Sequence, residues 1–234
     1  MMETRPRGRE NWEDDSFVAE WLQRQNGRVQ EREREFAMIR SLIPRDPTDE
    51  FRYMDVGCGD GWLDQFVLKR YSRAHAVLVD GSPLMLERAR ERLQEHGDRV
   101  TTQQADLANP EWSLQIPGPI DVVVSSIAIH NLRDPLRIRT VYAEIYDLLS
   151  DGGFFVNLDY VRSAVPALRN LTRRAAADPE AGYVVGSSSG GNPGTIDEQL
   201  VWVREAGFAA VECFWKEFNA ALFGGFKGTV RIPE

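Results

Sequence analysis

The chain has 234 residues, 42% hydrophobic and 27% charged, and a formal net charge of −8. That length and composition fit one α/β domain and exclude a disordered chain, a collagen-like rod or a coiled coil. The negative charge argues against nucleic acid as a partner, because phosphate-backbone binding needs a broad basic face.

No run of about 18 apolar residues is present, so no membrane-spanning helix is expected. The first fifteen residues, MMETRPRGRENWEDD, lack an apolar core and do not read as a secretory signal. The expected location is therefore the cytoplasm. Two cysteines, Cys58 and Cys213, are too few for a disulfide scaffold or a structural zinc site. The three scattered histidines add no metal-ligand cluster, so no metal is expected.

From Ser16 the pattern is helical, with Phe17, Trp21 and Leu22 able to share a face. The charged stretch from Arg28 to Glu35 reads as a solvated helix face. Phe36, Ile39 and Ile43 continue the apolar stripe until Pro44 and Pro47 break it. Strands are predicted at 51–56, 74–79, 100–104, 120–125 and 154–158. Helices are predicted at 62–71, after Ser82 and Pro83, and at 136–149. Ser82 is a fitting N-cap and Pro83 a fitting first helical residue. Strands alternating with helices imply βαβ units and a parallel sheet.

Residues 160–194 break that register with an Arg-containing helical stretch and a Gly/Ser-rich run, 186–194. The run reads as either a mobile lid or an inert loop. Thr195 and Glu198 form a capping box for a helix ending at Gly207. Two short apolar runs, 209–215 and 220–226, read as a terminal hairpin.

The richest segment is Asp55-Val-Gly57-Cys58-Gly59-Asp60-Gly61-Trp62. It follows a strand and opens a helix. Glycines there let a ligand approach the backbone, and the helix start offers free N–H groups. The spacing is GxGxG, whereas the dinucleotide fingerprint is GxGxxG. Asp55, just before the first glycine, disfavours a pyrophosphate and suits an ammonium. The bland alternative is a tight turn with no ligand. The second strand ends in Asp80, followed by Gly81 and Ser82; an acid there can accept two hydrogen bonds from a ribose diol. The third strand leads to Ala105-Asp106-Leu107, where a carboxylate can accept from an adenine amino group.

With those three acids in that order, residues 51–158 resemble a class I S-adenosylmethionine-dependent methyltransferase. Supporting segments are Asp121-Val-Val-Val-Ser125-Ser126, Asp-Gly-Gly153, and Ala206-Gly207-Phe208 before a hairpin. The resemblance implies a Rossmann-like, seven-stranded, mostly parallel sheet with an antiparallel last strand and helices on both faces. It implies S-adenosylmethionine as cofactor. Gly57, Gly59 and Asp60 would then lie along its methionine part, and Gly81, Ser82 and Met85 beside its adenosine. Ser125, Ser126 and Ile127 would pass beside the cofactor. Residues 1–45 would be a helical extension or lid, residues 46–234 the methyltransferase domain, and 160–194 an acceptor-side insertion.

Methyl transfer needs orientation and exclusion of water more than a nucleophile. A base is required only where the acceptor is protonated. His130, after the fourth strand, is the candidate base, with cofactor packing or capping as its alternative role. Cys58 reads as a packed small residue, and Cys213 and Trp21 as core. The fourth-strand segment lacks the Asn/Asp-Pro-Pro-Tyr/Phe and Pro-Cys motifs of nucleobase and glutamine-amide enzymes. A small-molecule oxygen or nitrogen acceptor is the expected substrate. Candidate acceptor-site residues are Trp12, Phe17, Asn131, Tyr160, Arg162 and Asn219, with Asp159 at the fifth-strand exit. Arg162, Arg169, Arg173 and Arg174 have no acid among them, and read as an anion site or a solvated face. A nicotinamide-dependent oxidoreductase and a non-catalytic cofactor-binding protein are the competing readings. The sequence does not reveal an oligomeric state.

Overall fold

Stretches of β-branched and aromatic residues place the strands, and capping residues place most of the helix starts. The computed structural model describes residues 12, 14–25, 29–176, 192–230 and 232. Its strands are β1 (Arg52–Val56), β2 (His75–Asp80), β3 (Val100–Gln104), β4 (Ile120–Ser126), β5 (Leu149–Tyr160), β6 (Ala209–Glu217) and β7 (Ala220–Phe226). They join in one sheet of order β3-β2-β1-β4-β5-β7-β6. β1 to β5 pair in parallel, and β7 runs antiparallel between β5 and β6. β6, at one edge, slips register twice against β7, between Ala209 and Glu212 and between Cys213 and Trp215.

The helices are α1 (Asp15–Gln25), α2 (Val29–Leu42), α3 (Trp62–Arg70), α4 (Pro83–Arg92), α5 (Pro135–Leu148), α6 (Pro166–Ala176) and α7 (Ile196–Glu205). Ser82 caps α4 by accepting from Met85 N at 3.3 Å, and Asp134 caps α5 by accepting from Leu136 N at 3.0 Å. Thr195 and Glu198 exchange both bonds of the capping box that opens α7. Each such cap contributes about 1 kcal/mol.

Alternation along the strands divides the core into two layers. Tyr53, Leu78, Val122, Val124 and Val156 face α2, α3 and α4, where Phe36, Leu63, Val67 and Leu86 are buried. Met54, Val56, Val77, Val123 and Phe155 face the other way, onto Val141, Tyr142 and Ile145 of α5 and Val203 of α7. A sheet covered on both sides favours uninterrupted apolar strands such as the Val-Val-Val of β4. Burying each large apolar side chain stabilises by about 1.5–3 kcal/mol.

Three expectations are corrected here. β5 begins at Leu149 rather than 154, because Leu149 pairs with Ile120 ahead of a register shift in β4–β5. The charged stretch on α2 is not wholly a solvated face: Arg32 is 8% and Glu35 3% exposed. Cys213 lies on the edge strand and is half-buried, not core. The segment 160–194 contains α6, while its Gly/Ser-rich part up to 191, like residues 1–11 and Arg28, lies outside the described residues.

Candidate active site

Strand order reverses between β1 and β4, and in open α/β sheets the ligand crevice opens beyond the strand ends at that point. A cavity of about 340 Å³ lies there. Its floor is the glycine turn after β1. Gly57, Gly59 and Gly61 all have positive φ, at 74°, 55° and 73°, a left-handed region costly to other residues. Each has a different neighbourhood. A Cβ on Gly57 would sit 2.3 Å from Ala128 Cβ, so this glycine lets the segment after β4 close onto the turn. A Cβ on Gly61 would press on Leu93 and Ala89, so it seats α3 against α4. Around Gly59 a Cβ would meet nothing within 4 Å, and its backbone is open to the cleft.

Asp80 locks the turn. Its Oδ2 accepts from Gly59 N at 2.9 Å and its Oδ1 from Ser82 N at 2.8 Å. Burial pushes its carboxyl above the usual range, against the pull of those bonds. The Gly81 backbone also bonds it, and since a carboxylate has about four acceptor sites, capacity remains for a ligand hydroxyl. Asp60 is held by Arg92, whose Nη2 bonds its carboxylate and whose Nε bonds its carbonyl at 3.0 Å. Asp106 Oδ1 accepts from Ala108 N at 2.8 Å.

Asp55 is 1% exposed yet lines the cleft, and its Oδ1 has no donor. An acceptor without a donor, buried beside a cavity, fits a cationic ligand group. Burial, then the nearby carboxylate of Asp64, pushes its carboxyl well up. The Cys58 thiol is raised well above its ordinary value by burial and by Asp80, so it is no nucleophile.

Beyond β4 the chain turns sharply. Ile127, a β-branched residue, adopts φ 56°, and its N–H donates to Leu158 O at 2.7 Å. Such strain persists only where the surroundings enforce it. It sets Ser126, Ile127, Ala128, Asn131 and Leu132 along the cleft. His130 is buried beside them: Asp159 Oδ2 accepts its backbone N–H at 2.9 Å, and its Nδ1 lies 2.6 Å from Asp159 Oδ1. The edge of the Tyr160 ring packs against the imidazole, centroids 5.1 Å apart.

The cleft thus brings together Trp12, Asp55, Gly57, Cys58, Gly59, Asp60, Asp80, Gly81, Met85, Ala105, Asp106, Leu107, Ser126, Ile127 and Asn131. Eight sequence candidates do not line it. Gly61 and Ser82 serve packing and capping as described. Ser125 is fully buried and its hydroxyl donates to Val56 O at 2.7 Å, tying β4 to β1. Phe17 packs edge-on against Trp12. Tyr160 packs on His130, which is buried and does not line the cleft. Arg162 pairs with Glu198 at 2.8 Å, and Asn219 O accepts from Val161 N at 2.7 Å in the β6–β7 turn. Trp21, expected in the core, lines the cleft and packs on Trp12.

Arg32, Phe36, Trp62, Leu63, Val79, Ala128 and Leu132 also line it and were not singled out from sequence. Arg32 and Phe36 stand one helical turn apart on α2, with the guanidinium 4.8 Å from the ring centroid. That i, i+4 spacing was the available signal. Among the described residues no group of three or more His, Cys, Asp or Glu is set to hold a metal, and no helix is long and apolar enough to cross a membrane.

Residues 54–153 match the family of methyltransferase domains. A carboxy-S-adenosyl-L-methionine synthase of a Nitratiruptor species is 25% identical over 202 residues, which is 82% of each chain. The chain spans only about a third to a half of the other curated relatives it matches. In fold it resembles an O-methyltransferase family protein from Burkholderia thailandensis, TM-score 0.70 at 19% identity, over 93% of this chain and 62% of that one. It also resembles an O-methyltransferase family 2 protein from Planctomyces limnophilus, solved with apigenin, TM-score 0.64 at 18% identity, over 92% and 62%.

Proposed function

We propose that the protein is a class I S-adenosylmethionine-dependent methyltransferase that methylates an oxygen or nitrogen of a small-molecule acceptor; its methyltransferase-domain match and its relatives support this reading. The observation that carries the acceptor chemistry is the His130–Asp159 pair, one residue from the cleft-lining Asn131. When bound, S-adenosylmethionine supplies a methyl group on a positively charged sulfur.

The protein's residues do the rest. Gly59 offers open backbone, Asp80 offers its remaining acceptor capacity to a ribose hydroxyl, and Asp55 receives the ammonium. Asp159 accepts from the imidazole Nδ1–H, which leaves Nε2 as the basic nitrogen. As the base for a hydroxyl or amine acceptor, His130 requires the acceptor to reach past Asn131, because the imidazole does not itself line the cleft. Because Asp159 also holds the His130 backbone, ring and main chain are fixed together, and the base is oriented before the acceptor arrives. Trp12, Trp21, Phe36 and Trp62 shield the cleft from water and give a flat acceptor apolar walls. This supports reading residues 1–45 as a helical lid on a domain spanning 46–234. The Planctomyces neighbour's complex with apigenin is consistent with such an acceptor.

A second reading comes from the Nitratiruptor relative, matched across 82% of both chains: the cofactor itself would be modified, as that protein's name describes. One experiment separates the two. Purified protein is incubated with S-adenosylmethionine and a panel of phenols, carboxylic acids and amines, and the products are analysed by mass spectrometry. S-adenosylhomocysteine with a methyl gained on oxygen or nitrogen supports the first reading. A methyl gained on carbon overturns the acceptor assignment, and a carboxylated cofactor supports the second reading.

A further inference from the structure

Behind the floor of the cleft lies a second carboxylate that the reading above does not use. Asp64, in the first turn of α3, is fully buried. The Tyr53 hydroxyl donates to its Oδ1 at 2.9 Å, and its Oδ2 has no donor. Its carboxyl is in hydrogen-bonding contact with that of Asp55. Two touching carboxyls out of water cannot both be ionised cheaply, and a proton between them supplies the donor that each otherwise lacks.

The surroundings offer little cationic relief. Tyr53 faces the pair from β1, Asp80 from β2, and Cys58 and Asp60 from the glycine turn. Asp60 is itself bound to Arg92 of α4. From α2 comes Arg32, with Glu35 3.9 Å from its Nε. Arg32 is the cation among the described residues that line the cleft, against four carboxylates there: Asp55, Asp60, Asp80 and Asp106.

We propose that Asp64 shares one proton with Asp55 in the ligand-free protein, and that the pair gives up this proton when the ammonium group of the cofactor docks on Asp55. Asp64 is thereby a positioning residue that tunes the charge Asp55 presents. The proposal rests on the reading that S-adenosylmethionine, or its product S-adenosylhomocysteine, lies with its amino-acid end at Asp55. The step balances simply. The O–H bond between the two carboxyls breaks, the proton passes to buffer, and an N–H of the ligand, which keeps all its protons, takes its place. Nothing is oxidised or reduced. Burial holds both carboxyls above the ordinary range, aided at Asp55 by the charge of Asp64 and at Asp64 by that of Asp60, with Asp64 up to about 7, so the exchange occurs near neutral pH.

The test is calorimetry of S-adenosylhomocysteine binding to the full chain near neutral pH, in buffers of different ionisation enthalpy. The slope of heat against ionisation enthalpy counts protons released. The expected result for the unaltered protein is a release approaching one proton. For Asp64→Asn it is none, with binding retained, because the amide donates permanently to an ionised Asp55. As a second readout, 5′-methylthioadenosine, which lacks the amino-acid end, binds the unaltered protein with no proton release; this comparison decides even where Asp64→Asn does not fold. A buffer-independent heat for S-adenosylhomocysteine overturns the proposal. So does an equal slope in Asp64→Asn or with 5′-methylthioadenosine. A folded protein that binds neither nucleoside overturns the cofactor reading, and this proposal with it.

Discussion

Replacing Gly57 by alanine tests how the cleft floor is built. At φ 74° an L residue costs about 1–2 kcal/mol in backbone conformation. The new Cβ would also lie 2.3 Å from Ala128 Cβ, far inside contact distance, and forced repacking costs about 1–3 kcal/mol. The sum is about 2–5 kcal/mol, a large share of the roughly 5–15 kcal/mol that holds a native domain. In a chain of this length that lowers Tm by about 4–20 °C. Gly59→Ala is the control. Its φ of 55° carries the same backbone cost, but nothing lies within 4 Å of the added methyl. It should lower Tm by about 2–8 °C, while the methyl occupies ligand space and weakens S-adenosylhomocysteine binding. Thermal unfolding of both variants, with calorimetric titration of Gly59→Ala, checks the pair. An unchanged Tm for Gly57→Ala, or a larger loss for Gly59→Ala than for Gly57→Ala, would refute the packing argument.

Three further outcomes are expected. Asp80→Ala removes the acceptor of Gly59 N and Ser82 N and the partner of a ribose hydroxyl. At about 1.5–3 kcal/mol per charged hydrogen bond, losing a ligand bond lowers S-adenosylhomocysteine affinity at least about tenfold; an unchanged affinity in a calorimetric titration contradicts this. Asp159→Asn leaves one amide oxygen to accept from two His130 donors, so kcat should fall about 10–100-fold through one lost charge-assisted bond. The Kd for S-adenosylhomocysteine should stay unchanged, and a parallel loss of both would point to a folding defect. Stability should fall as pH rises from the ordinary carboxylate range through about 7, with His96, whose pKa burial and Arg99 lower, opposing the trend in part. The native state holds the Asp55–Asp64 proton more tightly than the unfolded chain, so it binds more protons across that window. Glu198, held below its ordinary range by Thr195 and Arg162, acts only at lower pH. Urea midpoints from about pH 5 to 8 measure the slope, and a rise across that interval contradicts the account.

Much of the fold was legible because local chemistry and tertiary need agree. Val122 to Val124 is apolar on both faces and sits centrally, and Ser82 with Pro83 starts α4 where their backbone preferences say. The glycine turn was equally legible, since its glycines answer local demands on the backbone. What stayed hidden depended on distant partners. Arg32 and Glu35 look like any charged pair on a helix, and only the docking of α2 against α3 and β5 buries them. Asp64 is one acid in an amphipathic helix until Tyr53 and Asp55 close around it. Ser125 stands in the right strand, but its hydroxyl turns to Val56 O because that carbonyl is buried beside it. Periodicity shows which face of an element is apolar. It does not show which polar groups lie under another element.

The two edges of the sheet have a consequence for how copies of this chain meet. A free strand edge is an open row of amide donors and acceptors, and a neighbouring molecule can add to it. At one end, β3 carries Thr101, Thr102, Gln103 and Gln104, whose side chains bring no continuous oily surface to such a contact. At the other, the two register slips of β6 throw its ladder out of phase, and Ala210 sits in the left-handed region within it. Lys216 bends back to the Phe218 carbonyl and places a charge beside the strand. A strand arriving edge-on finds no regular ladder at β6 and no continuous apolar surface at β3.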